Sequence, residues 1–473
     1  MIAAGLHWFT SDLRVHDNAA LAEAGRAGTV AGVFVLNPAV LERHARAPRR
    51  IAFMYACLHA LDAALRALGS RLLVVQGDPV VELPRLAATL GAGVVSHARN
   101  HEPAARAREA RVARALERAG VVVRSAEAAL VQPPGILTTG LGGAYQVYSA
   151  YARAWEVLDA PAAVPVPRQW AAAAALRGVG AGVPEVPAGF ELPPSGEDAA
   201  RKRLDAFLRE RVRRYPETRD LPGLDATSRL SAHLRWGTIS GAEAVRRARA
   251  AAVRDPSLRE GVRVWTRELA WRDFYAQLLV AHPSMAHEPL RPVRVRWRRD
   301  ERAFRRWQEG LTGVPLVDAG MRELRATGFM HNRPRMIVGS YLTKHLLLDW
   351  RLGEAHFMAE LIDGQLSQNN GNWQWVAGTG ADAQPFHRIF SPLRQGERFD
   401  PEGTYVKRWV PELSKVPAKL IHQPWALAPM ERRALCPDYP PPLVDLDEGR
   451  ARALAAFEDA RSRGAGARRG RRS

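Results

Sequence analysis

Gly5-Leu6-His7-Trp8-Phe9-Thr10-Ser11-Asp12-Leu13-Arg14 decides how the first part of this chain folds. A short, largely apolar run enters a polar turn that contains no glycine. The run reads as a buried strand. The turn is not a glycine-rich phosphate loop, which disfavours an ordinary nicotinamide-binding Rossmann unit. Four more short apolar runs follow, at Val30–Leu36, Arg71–Gln76, Gly93–Ser96 and Val121–Arg124. Amphipathic stretches separate them. In one, Ile51, Met54, Leu58, Leu61, Leu65 and Leu68 recur at steps of three and four, which is one face of a helix. Strands alternating with helices predict a doubly wound parallel sheet over residues 1–130.

Outward from that domain, residues 131–200 read as a connector, richest in Ala, Pro and Gly from 160 to 196. From Arg201 the periodicity is helical, so an all-α domain is expected over 201–460. Ten of the 13 tryptophans lie at or beyond Trp236, in this helical half, where they line a cavity or fill a core. The basic, Gly/Ala-rich stretch 461–473 is expected to be a disordered tail.

A chain of 473 residues suits two or three domains. Its net charge of +19 invites a polyanionic partner, although the Arg-rich codon usage of a GC-rich genome also raises this number. No apolar run is long enough to cross a membrane. The first residues, MIAAGLHWFT, lack a signal-peptide pattern. Two cysteines, Cys57 and Cys436, exclude a disulfide scaffold and a four-cysteine metal site, and no metal is expected. These features suit a monomer in a reducing cytoplasm.

Four segments carry candidate chemistry. Thr227-Ser228-Arg229-Leu230-Ser231 offers three hydroxyls at an expected helix start, either a phosphate cradle or a serine cap. On a helix through Trp265-Thr266-Arg267-Glu268-Leu269-Ala270-Trp271-Arg272, an aromatic plane, a carboxyl and a guanidinium share a face. In His331-Asn332-Arg333-Pro334-Arg335-Met336, Pro334 suits a first helical turn and sets Asn332 and Met336 on one side. His331 reads as structural. Finally, Asp363-Gly364-Gln365-Leu366-Ser367-Gln368-Asn369-Asn370-Gly371-Asn372-Trp373-Gln374-Trp375 is too polar for a core helix, and its Asn-Asn-Gly-Asn reads as a turn.

Taken in order, these segments, with Asp12-Leu13-Arg14 near the start, Tyr215 upstream and Arg388-Ile389-Phe390-Ser391-Pro392 downstream, resemble the DNA photolyase/cryptochrome family over nearly the whole chain. The resemblance is greatest to class I cyclobutane pyrimidine dimer photolyases. It implies an α/β antenna domain joined to a helical domain that holds FAD. Residues matching the FAD site are Tyr215, Thr227, Ser228, Arg229, Leu230, Ser231, Trp265, Arg335, Asp363, Gly364, Gln365 and Asn369. Within this set Arg335 and Asp363 resemble an ion pair beside the flavin ring, and Asn369 resembles the residue facing flavin N5. Residues matching the DNA and lesion contacts are Arg219, Glu268, Trp271, Arg272, Asn332, Arg333, Met336 and Trp375. Trp373, Trp350 and Trp297 match a tryptophan chain that reduces oxidised flavin under light. The implied reaction is a cycle: the excited reduced flavin gives an electron to a dimer flipped out of UV-damaged DNA, the cyclobutane bonds split, and the electron returns. Glu268 resembles the hydrogen-bond donor to the dimer.

The resemblance departs at three places. Gln365 stands where the family usually has a second aspartate, and so supplies no negative charge. Ala105 stands where folate-binding relatives have glutamate, and Thr10 where the family often has arginine. A second antenna chromophore, a deazaflavin or a folate, is thereby left open. The rivals within the family are a cryptochrome-like light sensor and a six-four photolyase, which normally uses histidines. The short tail and the complete lesion set argue against the first, and the Asn332-Arg333-Pro334-Arg335-Met336 context against the second.

Overall fold

The chain is described by a computed structural model covering residues 2–291, 293, 295–382 and 388–469. Five strands form one parallel sheet: β1 (Gly5–Phe9), β2 (Val30–Leu36), β3 (Leu72–Gln76), β4 (Val94–Ala98) and β5 (Val122–Ala126), in the order β3-β2-β1-β4-β5. All five expected strands are present, each within two residues of its predicted ends. Both faces of the sheet are covered, as a parallel sheet requires. Val33, Val35, Leu73 and Val75 enter one apolar cluster. Their alternate neighbours Phe34, Leu36, Leu72 and Val74 enter another, against Phe53, Leu58, Leu61 and Leu65 of α1 (Pro48–Ala67).

The connector is less free than its composition suggests. Ala171 N donates to Val30 O at 2.8 Å and Ala181 N to Val74 O at 2.7 Å, so it is pinned to two strands. Beyond it the chain is helical. The helices that position the site are α2 (Tyr148–Glu156), inside the expected connector, and beyond it α3 (Arg259–Ala281), α4 (Asn332–Ser340), α5 (Trp350–Glu360), α6 (Leu366–Ala377) and α7 (Leu446–Arg469). Because α7 runs on to Arg469, the expected tail boundary at 461 falls inside an element; residues 470–473 lie outside the described ones.

Chain contacts divide the molecule into two compact units. Unit 1 comprises Met1–Pro216, Thr227–Pro283 and Ile362–Ser367, and unit 2 comprises Glu217–Ala226, Ser284–Leu361 and Gln368–Ser473. Among the described residues, no helix is long and apolar enough to cross a membrane.

Each unit buries a histidine that resists protonation. In unit 1, His233 is 2% exposed, with Nδ1 2.9 Å from Thr238 Oγ1. In unit 2, His345 is equally buried and stacks on Tyr341. Burial first, then nearby arginines, lowers both to about 4. The unfolded chain takes up these protons near pH 6.5, whereas the fold refuses them until about 4. Stability is therefore full above that range and is lost as pH falls through it. At pH 5.5 each histidine should cost roughly 1 kcal/mol. Thermal denaturation at pH 7.5 and 5.5 checks this; an unchanged midpoint would show that both rings ionise in place.

Candidate functional site

In unit 1 the Thr227–Ser231 segment differs in detail from its expected form. Only Ser231 is helical, at the start of a short helix to Trp236, and the residue before it makes no side-chain cap. Arg229 sits at φ 48°, left-handed backbone that is strained for a side chain of this size. The turn it makes is anchored from both sides: Trp265 Nε1 donates to Ser228 Oγ at 3.2 Å, and Arg203 Nε donates to Ser228 O at 2.9 Å. Trp265 packs on Phe207 at 5.3 Å, and Phe207 on Tyr215 at 5.5 Å. Two expected cofactor residues, Tyr215 and Trp265, thus share one aromatic wall. Phe207, at its centre, carries no motif in the sequence.

Glu268 and Trp271 are half-buried on α3. Arg272 is not available in the way expected. Its guanidinium is buried and donates to Ala129 O at 2.6 Å, Leu234 O at 3.0 Å and Gln365 Oε1 at 3.4 Å. It ties three separate pieces of chain together, and a phosphate role is corrected to a structural one. The same bond gives Gln365 a function: its amide oxygen meets the arginine without adding a charge. Gly364 is held likewise, its carbonyl accepting from Arg50 Nη1 at 3.2 Å and Arg235 Nε at 2.9 Å. Leu366 N donates to Glu102 Oε1 at 3.2 Å. Asp363, in the same segment, is half-buried.

Arg50, Glu102 and Arg235 also line a cavity of about 150 Å³ at the carboxyl ends of β1 and β2. This is where open α/β sheets place ligands. Thr10, Arg43, His44, Ala105 and Arg108 complete the part of its wall that bears on charge. Burial, then Arg50, Arg235, Arg43 and Arg108, holds His44 down at about 4. Arg50 is itself lowered, chiefly by burial, but only to about 10, so it is cationic at neutral pH. Four arginines against one carboxylate, Glu102, give the lining a net positive charge. Two positions singled out in the sequence, Thr10 and Ala105, face this one space.

In unit 2, Asn332 is exposed at the start of α4, and Met336 is half-buried one turn on. His331 is the buried cap of α4: its Nδ1 accepts from Arg333 N at 3.1 Å, and its own N–H donates to Glu323 Oε2 at 3.1 Å. Arg333 pairs with Asp220 at 2.6 Å and lies 4.2 Å over the Phe399 ring. A phosphate must compete with that carboxylate for it. Arg335 Nε donates to Met330 O at 2.7 Å. Arg335 and Asp363 fall in different units. Arg219 and Trp375 are half-buried.

The Asn-Asn-Gly-Asn stretch is helical, inside α6, where a turn was expected. Tertiary partners override local preference. Asn370 Nδ2 donates to Ala286 O at 3.3 Å, and Gln374 Nε2 to Met285 O at 2.9 Å and Glu288 O at 3.1 Å. Asn369 is buried, and its Nδ2 donates to Glu354 O and Glu354 Oε1, each at 2.9 Å. With the amide N–H groups facing Glu354 of α5, the atom Asn369 presents to a ligand is its carbonyl oxygen, an acceptor. Nothing in the sequence pointed to Glu354, fifteen residues upstream.

Trp373 and Trp350 both lie in the unit 2 core. Trp373 packs so closely on α5 that a Cβ on Gly353 would stand 2.1 Å from its ring. Its ring contacts are with Phe357 at 5.0 Å and Trp307 at 6.2 Å. Trp307 was not singled out by the sequence. Trp297 is half-buried and meets Phe457 of α7 edge-on at 6.1 Å.

In unit 1, hydroxyls on a strained turn beside an aromatic wall suit a nucleotide-bearing ring system; in unit 2, Asn369 offers a fixed amide acceptor. Comparison with known proteins agrees. Residues 5–168 match the family model described as DNA photolyase, and residues 265–459 match the FAD binding domain of DNA photolyase. A Halobacterium salinarum protein named deoxyribodipyrimidine photo-lyase is 42% identical, over 96% of this chain and 99% of its own. The class III photolyase of Agrobacterium tumefaciens superposes with a TM-score of 0.89 at 36% identity, over 97% and 98% of the two chains. The Synechocystis cryptochrome gives 0.88 at 27%, over 96% and 99%. A Sulfolobus tokodaii photolyase solved with two FAD molecules gives 0.81 at 28%, over 96% and 99%. The fold and site are those of an FAD-binding flavoprotein. The chain belongs to the DNA photolyase family.

Proposed function

We propose that this enzyme is a class I photolyase that repairs cyclobutane pyrimidine dimers in UV-damaged DNA under light. The observation that carries the reading is the state of His331. Six-four repair calls for histidines that move protons, and this one is buried as a helix cap, while Asn332 and Met336 beside it are open to a ligand. Bound FAD, reduced and excited, supplies the electron that opens the cyclobutane ring. The chain's own residues recognise and hold. Tyr215, Thr227–Ser231, Trp265, Arg335, Asp363, Gly364 and Gln365 are assigned to FAD. Asn369 presents a neutral acceptor, which avoids placing a negative charge beside a reduced ring. Trp271 and Trp375 stack on the flipped dimer, and base–aromatic stacking contributes about 1–3 kcal/mol per base. Glu268 and Asn332 hydrogen-bond the pyrimidine edges, and Arg219 and Arg333 meet flanking phosphates. The distorted stacking of a dimer lowers the cost of flipping it.

The net positive lining of the unit 1 cavity supports a second chromophore there. Ala105 offers no carboxylate to a folate, which favours a deazaflavin. Both cysteines are buried free thiols, which suits a reducing cytoplasm.

The test is illumination of the flavin-reduced protein with separate oligonucleotides carrying a cyclobutane dimer or a six-four product. Restoration of the dimer alone is expected. Restoration of the six-four product overturns the lesion assignment, and restoration of neither favours a light sensor.

A further inference from the structure

Trp271 is not held by its own helix alone. Its ring lies against that of Tyr148, with centroids 3.4 Å apart and planes within 10°. Tyr148 is the first residue of α2, and its hydroxyl donates to Arg267 O at 2.7 Å, one turn before Trp271 on α3. Arg267 Nε in turn meets Glu156, the last residue of α2, at 2.5 Å. The two helices are therefore fastened at both ends of α2. Phe274 stands edge-on to both rings, 5.6 Å from Trp271 and 5.7 Å from Tyr148. Tyr275 lies farther from Trp271 than Tyr148 does, at 5.4 Å and 29°.

Free aromatic pairs prefer offset or edge-to-face geometry. A direct face-to-face pair needs an external hold, and the Tyr148 hydroxyl provides it. An indole stacked on one face has fewer rotamers to lose when a base takes the other, so part of the ordering cost of binding is removed in advance.

We infer that Tyr148 is a positioning residue for lesion recognition: it backs Trp271 and fixes the plane on which the flipped pyrimidine stacks. The inference rests on the reading of Trp271 as a lesion-stacking residue.

The test uses the FAD-loaded, full-length protein and an oligonucleotide with one cyclobutane thymine dimer, with its undamaged twin as reference. Tyr148→Ala should weaken dimer binding about fivefold to tenfold relative to the undamaged strand. Tyr148→Leu, which keeps apolar bulk without a ring, should behave the same and guards against loss of packing. Tyr148→Phe, which keeps the ring but loses the hydroxyl hold on Arg267 O, should fall between wild type and Tyr148→Ala. FAD content should not change in any of the three. The double variant Tyr148→Ala/Trp271→Ala should bind no worse than Trp271→Ala, because Tyr148 acts through Trp271. Additive losses, or equal losses on damaged and undamaged DNA, overturn the inference and leave Trp271 in its role. If Trp271→Ala itself binds the dimer normally, the lesion pocket is misassigned and the inference falls with it.

Discussion

Arg272→Met should destabilise the protein by roughly 1–3 kcal/mol, the scale for leaving buried acceptors without their donor. The reason lies in what remains behind. Asp273 stays buried, accepting from Gln132 N and Trp155 Nε1 at 2.8 Å each and from Val131 N at 3.2 Å. Burial already raises this carboxyl to about 7, against the pull of those donors and of the Arg272 charge. Without Arg272, the carboxyl loses its neighbouring cation, and the Ala129 and Leu234 carbonyls lose their donor. A thermal or denaturant midpoint well below wild type, with reduced FAD retention, is the expected result. A variant of normal stability that binds DNA poorly would return Arg272 to the phosphate-gripping role that its position beside Trp271 suggested.

Trp373→Phe should abolish most light-driven reduction of the oxidised flavin while leaving repair by chemically prereduced enzyme in place. Indole is more readily oxidised than benzene, so a phenylalanine of similar shape interrupts electron supply without opening a large cavity. The ring is set by Gly353 and Phe357 of α5, which should keep the replacement in register. Trp350→Phe should slow the same process. Absorbance of the flavin during illumination with an external thiol measures both. Normal photoreduction in Trp373→Phe would show that electrons arrive by another route. Loss of repair in the prereduced enzyme would mean that the substitution disturbs the flavin site itself.

The N-terminal domain was legible because its physics is local. Alternating residues of β2 and β3 face two apolar clusters, and a two-residue period is visible in any such strand. Helix faces were legible for the same reason, and the motif residues Asn332, Asn369 and Trp271 stood out by chemical type. What the sequence hid were partners distant along the chain. Arg272 looked like a surface cation because helix geometry says nothing of Ala129 or Leu234. The run Asn369–Asn372 looked like a turn because its amide acceptors, at Ala286 and Glu354, belong to other elements. Glu354, Phe207, Trp307 and Tyr148 carry no motif at all; each matters only through what it touches.

The short segment Ile362–Ser367 has a consequence for how the protein can be made and cut. It completes unit 1, receiving Arg50, Arg235 and Arg272 and donating to Glu102, yet it is reached only after the ribosome has passed all of 284–361. A nascent chain ending at Pro283 still lacks the Gly364 carbonyl that accepts from Arg50 and Arg235 and the Gln365 oxygen that accepts from Arg272. Unit 1 therefore cannot finish folding co-translationally as a separate body, although domains generally do so in order. A fragment cut at that point should be a poor stand-in for it, and a protease nick after Pro283 should be tolerated only while the downstream piece remains bound.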